Sequence, residues 1–163
     1  MKRLFAIALL TAAALPAFAA PPVGSIAPDF TVTAAQNGKT AEFKLSEARK
    51  KGPVIVYFFP AARPQNTLLT VFAKHAPEFA AVGATVIALT SAVSEKDSPQ
   101  ILSAADHMAL LVKFSAEEIH DAFPIGAVTM DTARAFEVAR MPSNLVQYAT
   151  FVIAPDGKIL LSF

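Results

Sequence analysis

The 163-residue chain contains no cysteine and no tryptophan, only six glycines, and 17% charged residues. Without cysteine there is no disulfide, no thiolate metal ligand and no thiol nucleophile, so the fold rests on packing alone. Chemistry that passes through a sulfenic acid or a mixed disulfide is closed to it. None of the six glycines falls in a phosphate-cradling arrangement, and no G-x-S-x-G elbow presents a serine nucleophile. The three histidines, His75, His107 and His120, show no H-x-x-x-H spacing and fall on separate predicted helices. They read as surface or capping residues, and neither a metal nor a cofactor is expected.

What the chain does have is apolar content, 54% of residues, enough for one domain with a continuous core. Its start is a separate unit. Met1-Lys2-Arg3 is basic, Leu4 to Leu15 is apolar, and Ala17-Phe18-Ala19 fits the small-x-small rule of a signal peptidase site. The apolar stretch, roughly 15 residues, is short of the about 20 that a membrane span needs. The expected organisation is therefore a signal peptide over residues 1–19 and one domain over 20–163, exported to the periplasm or secreted, with no membrane span after cleavage. Losing Lys2 and Arg3 leaves 12 basic against 13 acidic residues, a net charge of −1. Near neutrality does not suit a nucleic-acid partner, and the one basic cluster, Arg49-Lys50-Lys51, reads as the solvated end of a short helix.

Along the domain, Phe30 to Thr33 and Thr40 to Phe43 flank Asn37-Gly38, a strong signal for a tight hairpin because both residues tolerate positive φ. Ser46 reads as the cap of a short helix through Lys51, stopped by Gly52-Pro53. Val54 to Phe59 is apolar without alternation, as in an interior strand covered on both faces. A helix follows from Thr67 to Val82, with Leu68, Phe72, Phe79 and Val82 at helical spacing and Gly83 at its end. Pro77 predicts a kink or a split near Ala76. Thr85 to Leu89 reads as a second buried strand, and strand-helix-strand in this order implies a right-handed crossover and a parallel pair. Ser98-Pro99 opens a helix carrying Ile101, Leu102, Ala105, Met108 and Val112 inward. Ser115 to Glu118 has capping-box spacing and predicts a further short helix ending before Phe123-Pro124. Ile125 to Thr129 reads as an edge strand, Asp131 as the cap of one turn to Phe136, and Met130 and Met141 as exposed residues near turns. Thr150 to Ile153, the turn Ala154-Pro155-Asp156-Gly157, and Lys158 to Ser162 predict a closing hairpin. The class is α/β: a central mixed sheet flanked by helices, with an N-terminal hairpin.

This order resembles a thioredoxin-like domain, and several segments narrow the resemblance. Gly24 to Phe30, Val54 to Ala62, Lys113 to Pro124 and Thr150 to Ile159 are similar to blocks of the alkyl hydroperoxide reductase and thiol-specific antioxidant family, the peroxiredoxins, over about residues 23 to 162. In that family the strand feeds a loop of the form P-x-x-x-T-x-x-C. Counted from Pro60, the resemblance places the family's threonine on Pro64 and its peroxidatic cysteine on Thr67, or, with a two-residue deletion, on Asn66 or on a missing residue. The family arginine falls on Tyr148, and a second, resolving cysteine would fall near Ile119.

Thiol peroxidases need an ionised sulfur, a cation to hold it ionised, and donors for the departing oxyanion. Thr67 offers a hydroxyl that stays protonated at neutral pH, and Tyr148 carries no fixed charge. Arg63, in the loop itself, is a candidate cation for the site, though a loop arginine is usually solvated. The expectation is a catalytically degenerate peroxiredoxin-like domain that acts as a binding or interaction module, with a protein partner or a second copy of itself. The alternatives are thiol-dependent peroxide reduction through a partner's thiol, and a truncated copy without function.

Overall fold

The computed structural model describes residues 20–61, 67–91, 104–140 and 145–163. The expected hairpin is present: β1 (Thr31–Gln36) pairs antiparallel with β2 (Lys39–Lys44), from Thr31↔Lys44 to Gln36↔Lys39. Asn37 and Gly38 take φ of 53° and 68°, the left-handed region a two-residue turn requires. α1 (Leu45–Ala48) follows at once and is shorter than the helix expected through Lys51. Ser46 does not cap it. Ser46 lies within the helix, and its amide donates to Asp29 Oδ1 at 2.9 Å. Any acceptor within reach satisfies a first-turn amide, and this one stands 17 residues upstream, outside a local capping pattern.

The apolar run forms β3 (Val54–Phe59), all six side chains buried. α2 (Thr67–Ala81) is one helix with Pro77 inside it, so the expected split does not occur. Proline removes one amide donor from the ladder. Phe72, Ala73 and Ala76 before it and Phe79 after it pack on the same apolar cluster, so both halves are anchored to one core. The helix closes on Gly83 at φ 73°: Ala84 N–H donates to Phe79 C=O at 2.9 Å and Gly83 N–H to Ala80 C=O at 2.9 Å, a Schellman end. β4 (Thr85–Thr90) then pairs parallel with β3 from Val54↔Thr85 to Phe59↔Thr90, as the crossover implied.

α3 (Ala104–Glu118) runs through the position where a second helix was expected to start. Ser115 is fully buried in its last turns. Its Oγ donates to Asp121 Oδ1 at 2.8 Å, and its carbonyl accepts from the amides of Ile119 and Asp121. The apparent N-terminal signal is thus a C-terminal anchor, since a serine three residues before a glutamate fits either end locally. Ala105 is exposed, against expectation, and Leu111 is the fully buried member of this face. Ser98, Pro99, Ile101, Leu102 and Met141 lie outside the described residues.

β5 (Ile125–Ala127) is not an edge: it pairs antiparallel with β1 and parallel with β4. In α4 (Met130–Ala135) the cap is Thr129, whose Oγ1 accepts from the Thr132 amide, while Asp131 pairs with Arg134 on the surface. Met130 packs half-buried on the core and is not exposed. The short strands β6 (Ala139–Arg140) and β7 (Leu145–Val146) pair with each other. β8 (Ala149–Ile153) and β9 (Ile159–Ser162) form the closing hairpin.

The main sheet has the order β2-β1-β5-β4-β3-β8-β9. One face carries Val54, Val56, Phe58, Ile87, Leu89 and Phe151, with Phe136 of the α4 end packed on it; the other carries Ile55, Tyr57, Phe59, Val86 and Ala88 beneath α2 and α3. Successive strand residues point to opposite faces. The unalternating sequence of β3 therefore reports two cores, one on each side. No helix among the described residues is long and apolar enough to cross a membrane.

Candidate functional site

In open α/β sheets, crevices form beyond the carboxyl ends of the parallel strands, where chain direction changes. Here that end is built from Pro60 and Ala61 after β3, Ser91 after β4, the start of α2 at Thr67, and the approach to β8. The β3–β8 ladder ends with Phe58 opposite Ala149, so Tyr148 enters β8 where Pro60 leaves β3. Ser91 ties the strands together. Its Oγ accepts from the Val146 amide at 3.1 Å and donates along a long 3.5 Å contact to the Pro60 carbonyl.

Of the residues that sequence reasoning assigned to this loop, Pro60, Tyr148 and the backbone of Thr67 are brought to the same end of the sheet. Arg63, Pro64 and Asn66 lie outside the described residues. Pro60 is half-buried and Ala61 is buried. Tyr148 is 61% exposed. Its ring lies over Tyr57, centroids 6.5 Å apart and planes 26° from parallel. Tyr57 in turn stacks on Phe59 at 5.6 Å and touches Phe72 of α2 at 5.2 Å. Where the family resemblance implies a fixed positive charge, this protein presents the outer member of an aromatic run. Such a surface favours apolar and aromatic contact, and its phenol can donate or accept one hydrogen bond.

A cavity of about 170 Å³ opens beside Tyr148, lined also by Ala20, Glu137, Gln147, Ser162 and Phe163. A larger groove of about 450 Å³ lies at the far edge of the sheet, along the β1–β2 hairpin, bounded by Gln36, Asn37, Lys39, Glu42 and Pro124. Among the described residues, the titratable groups with displaced pKa values, Glu47, His107 and Asp156, are on other elements than Pro60 and Tyr148. Hydrogen bonding to Lys50 lowers Glu47, the Lys158 amide lowers Asp156, and burial lowers His107. No three His, Asp or Glu side chains converge to hold a metal ion among the described residues.

Sequence reasoning missed Ser91 at this site and misplaced His107 outside it. Ser91 carries no motif; only its place as a polar residue directly after a buried strand points to it. His107 was assigned to the surface or a cap, yet it is 8% exposed, within α3, and its Nε2 has no hydrogen-bond partner. His120, expected on a helix, is not helical: it sits at φ 50° in the turn that follows α3.

The comparisons agree with this architecture. Residues 23–162 match the AhpC/TSA family. Peroxidoxin BcpB from Mycobacterium tuberculosis is similar at 25% identity and TM-score 0.65, over 86% of this chain and 84% of that one. AhpC of Enterococcus faecalis (17% identity, TM-score 0.68, 86% and 79% coverage) and the reduced 2-Cys peroxiredoxin of Plasmodium vivax (17%, 0.66, 86% and 83%) share the fold. None of the curated protein sequences matches the chain. The mixed sheet flanked by helices is the thioredoxin-like arrangement of these peroxiredoxin neighbours. The chain belongs to the AhpC/TSA family, as a member with no cysteine.

Proposed function

We propose that this protein is an exported, catalytically degenerate peroxiredoxin-like domain that works by binding a protein partner through the β8–β9 side of its sheet. The observation that carries the reading is where its exposed apolar side chains stand. Of the nine large hydrophobic residues exposed among the described residues, Tyr148, Leu160, Leu161 and Phe163 lie on or beside β8 and β9. Val23 and Ile26 adjoin them, because the amide of Gly24 donates to the Ile159 carbonyl and Ile26 bridges to Lys158. Clustered exposed apolar residues mark interaction sites more often than scattered ones do. Beyond Ile159, whose amide and carbonyl pair with Ser25 and Gly24, the strand β9 is also an edge, and Leu160 to Phe163 contains no charged residue and no proline to discourage pairing. The absence of any thiol in a peroxidase fold supports the loss of the family reaction.

The test is capture of partners from an exported-protein fraction, comparing the wild type with a Leu161→Asp/Phe163→Asp variant. The reading expects a specific partner, or a second copy of the chain, that the wild type retains and the variant releases. Equal capture by both, or none by either, contradicts it. N-terminal sequencing of the exported protein is expected to begin at Ala20.

A further inference from the structure

We propose that Asn37 is a site of spontaneous covalent modification, in which the main-chain nitrogen of Gly38 attacks the side-chain amide carbon of Asn37. The new C–N bond closes a succinimide, and the side-chain nitrogen leaves as ammonia with the proton that the Gly38 amide gives up. Water then opens the ring. Breaking the new bond yields aspartate. Breaking the original main-chain bond yields isoaspartate, with the chain rerouted through the side chain and one methylene longer. No electrons are transferred, and water is the only co-reactant.

The turn leaves this reaction unobstructed. Asn37 and Gly38 are both exposed. Nothing stands within 4 Å of the place a β-carbon on Gly38 would occupy, so the attacking nitrogen is open to approach. The Gly38 amide takes no part in the backbone hydrogen bonds of the turn. Among the described residues β2 pairs only with β1 and has no fully buried side chain, so the turn opens at small cost, as weakly packed edges do. The other two asparagines, Asn66 and Asn144, precede Thr67 and Leu145, whose β-carbons crowd the attacking nitrogen.

The product would matter locally. A carboxylate would appear on the rim of the 450 Å³ groove, where Lys39 and Glu42 already stand. An extra methylene in a two-residue turn is also incompatible with keeping Gln36 opposite Lys39. The hairpin would loosen from its tip.

The experiment is peptide mapping of the purified protein after incubation at neutral and mildly alkaline pH, with electron-transfer fragmentation to separate isoaspartate from aspartate. The peptide holding Asn37 is expected to gain one mass unit as both products, faster at higher pH. Its rate should lie within about tenfold of the free peptide of residues 35–41, a ratio equivalent to an opening cost of about 1.4 kcal/mol. Gly38→Ala should slow conversion by about tenfold or more, because its β-carbon shields the nitrogen. An intact Asn37 in the folded protein while the free peptide converts would overturn the proposal, as would earlier conversion at Asn66 or Asn144, or a wild-type rate in Gly38→Ala.

Discussion

Gly52 lies so close to the carbonyl oxygen of Gly83 that a β-carbon on residue 52 would overlap it. The two glycines lead into the parallel strands β3 and β4, and just beyond them the Thr85 amide donates to the Pro53 carbonyl at 2.9 Å. This contact sets how the central pair begins. Gly52→Ala is expected to lower stability by about 2–3 kcal/mol through forced backbone displacement, without changing the denaturant slope. Urea titration checks it; a loss under about 0.5 kcal/mol, the range of a neutral surface change, would contradict it.

Ser91 is the second structural pin. Ser91→Ala removes the acceptor of the Val146 amide and the contact to the Pro60 carbonyl. A loss of about 1–2 kcal/mol is expected, the cost of leaving a part-buried donor unmatched. Hydrogen exchange at Val146 should accelerate, while the β3–β4 ladder stays protected. Unchanged exchange at Val146 would show that the bond does not hold β7 in place.

His107 makes stability depend on pH. Burial opposes charge on the ring and lowers its pKa in the folded state below the ordinary histidine value of about 6.5. The unfolded chain then binds the proton more readily, so stability is full above the unfolded value and declines as pH falls from about 6.5 through the lower folded value. His107→Leu should flatten this part of the profile relative to the wild type. It should not destabilise at neutral pH, because it removes a buried nitrogen that lacks a partner. Parallel wild-type and variant profiles between neutral and mildly acidic pH would contradict the assignment.

The catalytic machinery should resist simple repair. Thr67→Cys, or Asn66→Cys, restores a sulfur to the loop, but Tyr148 supplies no fixed charge to hold it as thiolate. Neither variant is expected to reduce hydrogen peroxide faster than a free thiol of ordinary pKa. Robust turnover by either one would mean that a cation reaches the loop.

The sheet was legible in the sequence because its signals are local. Val54 to Phe59 had no alternation and proved buried on both faces; Asn37-Gly38 marked its turn; Gly83 marked a helix end. Helix boundaries were less legible, because capping partners came from elsewhere or fitted either end. Asp29 serves the Ser46 amide from 17 residues away, and Ser115 closes a helix it seemed to open. Pro77 did not split its helix, whose two halves pack on one core. β5 reads as an edge in the sequence because a strand of three residues carries no record of its two neighbours. At the site, the missing sulfur could be read from residue identity. The stacking of Tyr148 on Tyr57 and the bridging by Ser91 depend on chain crossings that no spacing encodes.

The most direct measurement is peroxide consumption by the purified protein in the presence of a dithiol reductant. With hydrogen peroxide or an organic hydroperoxide, the rate is expected to equal that of buffer and reductant alone at every protein concentration. Turnover that rises in proportion to protein and survives metal chelation would contradict the reading of this family member as a domain without thiol-peroxidase activity.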